Sequence, residues 1–242
     1  MRSRRILWRI RETSSMIPLV HSLRSFWNSS IGKKYIVAIT GLMFIGFLVA
    51  HLAGNLLIFK GKEDFDHYAE FLHHLGHGSV IWIARFTLLG ALVAHVVATI
   101  CLTRQNRAAR QPYAHEQSLR ASKSSKIMIL SGLTVLAFII FHILHYTVRV
   151  NSHLAELAAE SPYEMVIAGF QNWGSVIFYA ISMTLLCSHL SHGFSSAFQT
   201  LGIRSEKTRD LLEYAGKAYS LLILVGFLSI PFAIVFGYGS GS

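Results

Sequence analysis

Apolar residues along this chain come in five long, nearly uninterrupted runs, at about 36–58, 80–103, 127–147, 174–199 and 218–237. Each is long enough for a helix to cross a hydrocarbon core of about 30 Å, which takes roughly 20 residues. A transmembrane strand would show about ten residues of alternating polarity, and these runs are too long and too continuous for that. The pattern predicts an all-α membrane protein, a five-helix bundle whose connections lie in water or at the interface. The first, third and fifth runs carry almost no charge, and Arg85 enters only the first turn of the second.

Between the runs the pattern changes. "GKEDFDHYAEFLHHLGHG" (61–78) suggests an amphipathic turn, and Ser161-Pro162 followed by Glu164 reads as a helix start within the 148–173 connection. The chain divides into a basic N-terminal segment (1–35), a membrane domain (36–237) and a flexible tail (238–242). No low-complexity tract and no repeat beyond the similarity of the spans is evident.

Composition agrees: 52% of residues are hydrophobic and only 14% charged, which is wrong for a soluble domain of 242 residues. Charge then fixes an expected orientation. Segment 1–35 carries eight lysines and arginines (Arg2, Arg4, Arg5, Arg9, Arg11, Arg24, Lys33, Lys34), the 104–126 loop six and the 200–217 loop four. The other two loops carry three (Lys60, Lys62, Arg149) alongside seven acids. The N-terminus is therefore expected in the cytoplasm and the C-terminus outside. The net charge of +10 belongs to the face that meets anionic lipid, so nucleic acid is set aside as a partner. "MRSRRILWRIRETSSMIPLVHSLRSFW" lacks the apolar core of a signal peptide. It reads as an interfacial amphipathic segment or a docking surface for a cytoplasmic partner. Cys101 and Cys187 are isolated, within spans, and read as packing residues.

Of thirteen histidines, six lie in spans: His51, His95, His142, His145, His189 and His192. Ionisable groups in a span are costly and face the bundle interior with a partner. The first span has its centre near residue 47, so His51 lies about four residues, roughly 6 Å, to its outer side. His142 lies at a similar outer depth in the third span. The second and fourth spans run the other way, and His95 and His189 fall inward of their centres. The four thus sort into two pairs at two levels, the arrangement expected of two b-type haems, each held by imidazoles from different helices and suited to electron transfer. Gly41, Gly46 and Gly90 would let a porphyrin or a neighbouring helix approach the backbone. Zinc is a weaker reading, because neither His-x-x-His carries the glutamate of a metalloprotease site. A proton-relay transporter would place Asp or Glu in the spans, and there is none.

The stretches "SSIGKKYIVAITGLMFIGFLVAHLAGNLLIF", "LVAHVVATICLTRQNRAAR", "VLAFIIFHILHYTVR" and "LLCSHLSHGFSSAFQTLGI" resemble the five-helix dihaem cytochrome b anchor subunit of bacterial succinate dehydrogenase or fumarate reductase. The resemblance runs from about Ser29 to Phe236. It implies two haem b, an outer one bound by His51 and His142 and an inner one bound by His95 and His189. It also implies flavoprotein and iron–sulfur partner subunits on the cytoplasmic face, membrane quinone (commonly menaquinone) as substrate, and the bacterial cytoplasmic membrane as location. Succinate itself would be oxidised on the partner. Lys33, Lys34 and the 104–126 loop are the implied dock and can pair with haem propionates. Glu70 is a candidate for proton exchange at an outer quinone site, with Asp66 or His73 able to serve instead. His145 and His192 stand beside the expected ligands, and His145, about one turn further out, can hydrogen-bond a propionate, water or quinone. Alternative readings are the cytochrome b of a formate dehydrogenase or hydrogenase, or a haem-free transporter.

Overall fold

The computed structural model describes residue 22, residues 24–109 and residues 119–239, with the backbone alone over 119–126. The expected interfacial segment over 1–21, the loop stretch 110–118 and the last residues of the tail lie outside the described residues. The structure is 88% helix, with no strand among the described residues. Helix α1 (Ser30–Leu56) runs into a 3₁₀ turn (Leu57–Lys60) and a short helix α2 (Lys62–His74); α3 spans Ser79–Ala108. Helix α4 (Leu119–His142) continues into a π-helical turn (Ile143–Val148), followed by α5 (Ser152–Glu160), α6 (Pro162–Phe170), α7 (Trp173–Thr200) and α8 (Arg209–Val235).

Five of these, α1, α3, α4, α7 and α8, are long and apolar enough to cross a membrane, making the chain a multi-pass membrane protein in its architecture. Their large apolar side chains point outward: Ile39, Phe86, Leu130 and Leu222 are each more than half exposed, a surface that only lipid solvates well. The helices begin earlier than the apolar runs do, at Ser30, Leu119 and Arg209, because hydropathy marks where lipid begins whereas the helix needs only its own backbone hydrogen bonds.

Local chemistry sets the starts. Ser29 Oγ accepts the Gly32 amide at 2.8 Å, and Gly32 is required there because a Cβ would run into the Phe26 carbonyl. Asn151 and Asn172 cap α5 and α7 through Oδ1. Ser161 caps α6 with Pro162 in its first turn, the start that the sequence pattern anticipated. The amphipathic stretch after the first span is the 13-residue α2.

Helix α1 packs against α3, α7 and α8, and α7 against α1, α4 and α8. Helices α3 and α4 make no comparable contact, so four spans pack in the order α3–α1–α7–α4, with the His51–His142 ring contact bringing α1 and α4 together. In that arrangement α1 faces α4 across one diagonal and α3 faces α7 across the other. Helix α8 is clasped to α1 by Tyr219 Oη, which donates to the Ile45 carbonyl at 2.7 Å, and by Tyr238 Oη to the Ile58 carbonyl at 2.8 Å. At one end α2, α5 and α6 cap the bundle. Asp66 of α2 accepts hydrogen bonds from Ser161 Oγ (2.6 Å) and the Tyr163 amide (2.8 Å), and Lys62 pairs with Glu164 at 2.9 Å. The densest core, including Ile58, Tyr163, Val176 and Ile230, lies toward this capped end.

Candidate functional site

The four histidines singled out by depth each sit on a different span: His51 on α1, His95 on α3, His142 on α4 and His189 on α7. His51 and His142 belong to one diagonal and form an upper pair nearer the capped end, with ring centroids 5.9 Å apart and planes at 83°. His95 and His189 belong to the other diagonal and form a lower pair within electrostatic reach of each other.

The lower pair is oriented by two hydroxyls. Thr40 Oγ1 gives its hydrogen to the Ile36 carbonyl at 2.6 Å, so toward His95 Nδ1, 2.9 Å away, it acts as acceptor. With the hydroxyl hydrogen on the Ile36 carbonyl, an Nδ1–H on His95 is the tautomer that completes this contact, and it would leave the lone pair on Nε2. Ser131 Oγ is placed in the same way beside His189: it lies 3.2 Å from the Met128 carbonyl and 3.3 Å from His189 Nδ1. The residue after each hydroxyl is a glycine against which the ring rests. A Cβ on Gly41 would lie 3.6 Å from His95 Cε1, and one on Gly132 3.4 Å from His189 Cε1. A Cβ on Gly46 or Gly90 would meet nothing within 4 Å, so neither serves close packing of the described helices.

These contacts expose a repeat that hydropathy alone does not mark. In "ITGLMFIGFLVAH" (39–51) and "LSGLTVLAFIIFH" (130–142) a hydroxyl-glycine-leucine triplet precedes a histidine, with hydroxyl and histidine eleven residues apart in both. Eleven residues make about three turns, roughly 16 Å, on one helical face. Helices α1 and α4 thus each present an upper histidine and, three turns below it, the hydroxyl that orients a lower histidine on the following span.

The upper pair is wrapped in aromatic rings. Phe47 stacks on His51 at 5.2 Å, Phe227 lies 5.7 Å from it, and Phe138 lies 5.7 Å from His142. Asn55 Nδ2 donates to the His51 carbonyl at 2.7 Å and leans over the ring. Tyr179 Oη stands 3.1 Å from His142 Nδ1. Beside the pair, a cavity of about 320 Å³ runs beneath α2, lined by His51, His142, Tyr68, His73, Tyr146 and Tyr179 among others. The Tyr146 hydroxyl is buried without a hydrogen-bond partner among the described residues.

The remaining candidates divide. His73 lines the cavity and its Nδ1 lies 2.8 Å from the Ala69 carbonyl. Glu70 lies on the exposed side of α2, 3.8 Å from His74, and takes no part in the lining. Asp66 is committed to the α6 start. His145 shares Tyr179 with His142 at 3.3 Å. His192 is exposed, with Nδ1 2.9 Å from the Ser188 carbonyl. Lys33 is buried, donating to the carbonyls of Asn28 (3.1 Å) and Ser29 (3.3 Å), whereas Lys34 is exposed. Both cysteines are free thiols. Among the described residues no three His, Cys, Asp or Glu side chains come together as a metal-ion site. Comparison with protein-family models, with curated proteins and with solved structures finds no match.

Proposed function

We propose that this chain is the membrane anchor and electron-transfer subunit of a succinate:quinone oxidoreductase. In this reading it holds two b-type haems and passes electrons between a cytoplasmic iron–sulfur subunit and quinone in a bacterial cytoplasmic membrane. The observation that carries the proposal is the double pairing of histidines across the two diagonals of the bundle, at two depths.

The donor set suits haem better than a bare ion. Porphyrin supplies four ligands and asks the protein for two, whereas zinc asks for three or four. His51 and His142, from two different spans and with ring centroids 5.9 Å apart, are the residues that would hold one haem. His95 and His189, on the other two spans, are the residues that would hold the second haem. A haem held by two imidazoles would supply electron transfer. Thr40 and Ser131 fix ring orientation, and Phe47, Phe138 and Phe227 keep water from the upper pair. The cavity under α2 gives quinone an approach to that pair, with His73, rather than Glu70, facing it for proton exchange. With the basic loops inward, the upper pair lies toward the outside and the exposed Lys34 belongs to the docking face.

The test is a reduced-minus-oxidised spectrum and haem count on the purified full chain. Two b haems per chain are expected, and absence of a b-type α band would sink the proposal. Copurification of a flavin subunit and an iron–sulfur subunit distinguishes this complex from a formate dehydrogenase or hydrogenase.

A further inference from the structure

One hydroxyl joins both histidines of "FHILHY". Tyr179 Oη lies 3.1 Å from His142 Nδ1 and 3.3 Å from His145 Nδ1. The side chain is 6% exposed, and the edges and faces of Phe138 (5.1 Å) and Phe170 (4.9 Å) hold its ring at right angles to theirs. It has little freedom to look elsewhere.

A phenol carries one hydrogen. With no other acceptor for it among the described residues, Tyr179 donates to one of the two imidazoles and accepts from the other. The histidine that donates from Nδ1 has a lone pair on Nε2; the one that accepts at Nδ1 carries its hydrogen on Nε2. Only one member of the pair can thus be ready to bind a metal through Nε2. Their surroundings differ as well. His142 lines the large cavity together with His51. His145 lines a separate pocket of about 190 Å³ with the polar residues Asn151, His153, Asn172 and Ser175, groups of a kind that can accept from an Nε2–H.

Resting on the two-haem reading above, we propose that Tyr179 is a positioning residue that makes His142, and not His145, the metal-binding imidazole of the upper pair. The hydrogen bonds run from His142 Nδ1–H to Tyr179 Oη, and from Tyr179 Oη–H to His145 Nδ1. Donation to His145 makes the phenol oxygen a stronger acceptor. An imidazole that donates from Nδ1 is a more basic ligand and favours the oxidised metal. Tyr179 therefore lowers the reduction potential of the upper haem, and His145 assists from one bond further away.

The experiment is a redox titration of the full chain in detergent, with electron paramagnetic resonance of the ferric state, on the unaltered protein, Tyr179→Phe, His145→Leu and His142→Leu. In Tyr179→Phe two haems remain, one potential rises with a change in its g-values, and the other is unmoved. His145→Leu gives a smaller rise of the same component, and His142→Leu loses that haem. Two haems in Tyr179→Phe with both potentials unmoved would overturn the proposal. If Tyr179→Phe sheds the upper haem, His145→Leu decides, and unmoved potentials there overturn it. Loss of a haem from His145→Leu but not from His142→Leu does so too. Absence of haem from the unaltered chain is the separate failure of the underlying reading.

Discussion

A histidine in a membrane helix is defined by what its second nitrogen touches. Thr40 and Ser131 act through this nitrogen, and neither is recognisable as functional when each span is read separately. The histidines themselves were legible, because an imidazole in an apolar run is conspicuous. A threonine or serine bonding back to its own helix is commonplace, and only the eleven-residue spacing in two spans gave it away. Thr40→Val removes the acceptor from His95 Nδ1, a loss of about 0.5–1.5 kcal/mol. If the chain holds the two haems proposed, redox titration should show the lower one's potential rise while the upper one stays, with Thr40→Ser restoring it. An unchanged potential in Thr40→Val would show that the hydroxyl does not orient the ligand.

At the scale of elements, the ends and the close approaches were unequally visible. Ser161-Pro162 announced α6 in the sequence, since capping is local chemistry. That Asp66, far away in the chain, would accept from the same hydroxyl and from the Tyr163 amide could not be read locally, and this bond ties α2 over the cavity. Ser161→Ala should cost about 1–2 kcal/mol, seen as a lower unfolding temperature by circular dichroism in detergent; an unaltered transition would mean the cap contributes nothing. Gly216 lets α8 approach α7 closely, a Cβ there standing 3.2 Å from the Ser191 carbonyl oxygen and from Phe194 Cβ. Gly216→Val should destabilise this contact by about 1–3 kcal/mol, and a variant as stable as the parent would contradict the tight packing.

At the scale of the whole molecule, the two diagonals make the pairs separable. On the two-haem proposal, replacing His95 or His189 by leucine should remove one haem and leave the other, read as a halved haem content with one potential surviving; survival of both haems would disprove the pairing. Fusion reporters should find the C-terminus outside the cytoplasm, and a cytoplasmic C-terminus would invert the assignment of upper to outer. By itself the sequence determined the class of fold, the five spans and the depths of the four histidines, because hydropathy and helical rise are properties of neighbouring residues. Only the tertiary structure decided which spans are diagonal, which hydroxyl meets which imidazole, and that Glu70 turns away from the cavity that His73 lines. Those depend on how helices rotate and lean against one another. In lipid that is set by packing and a few polar contacts between distant residues, which no single run of sequence contains.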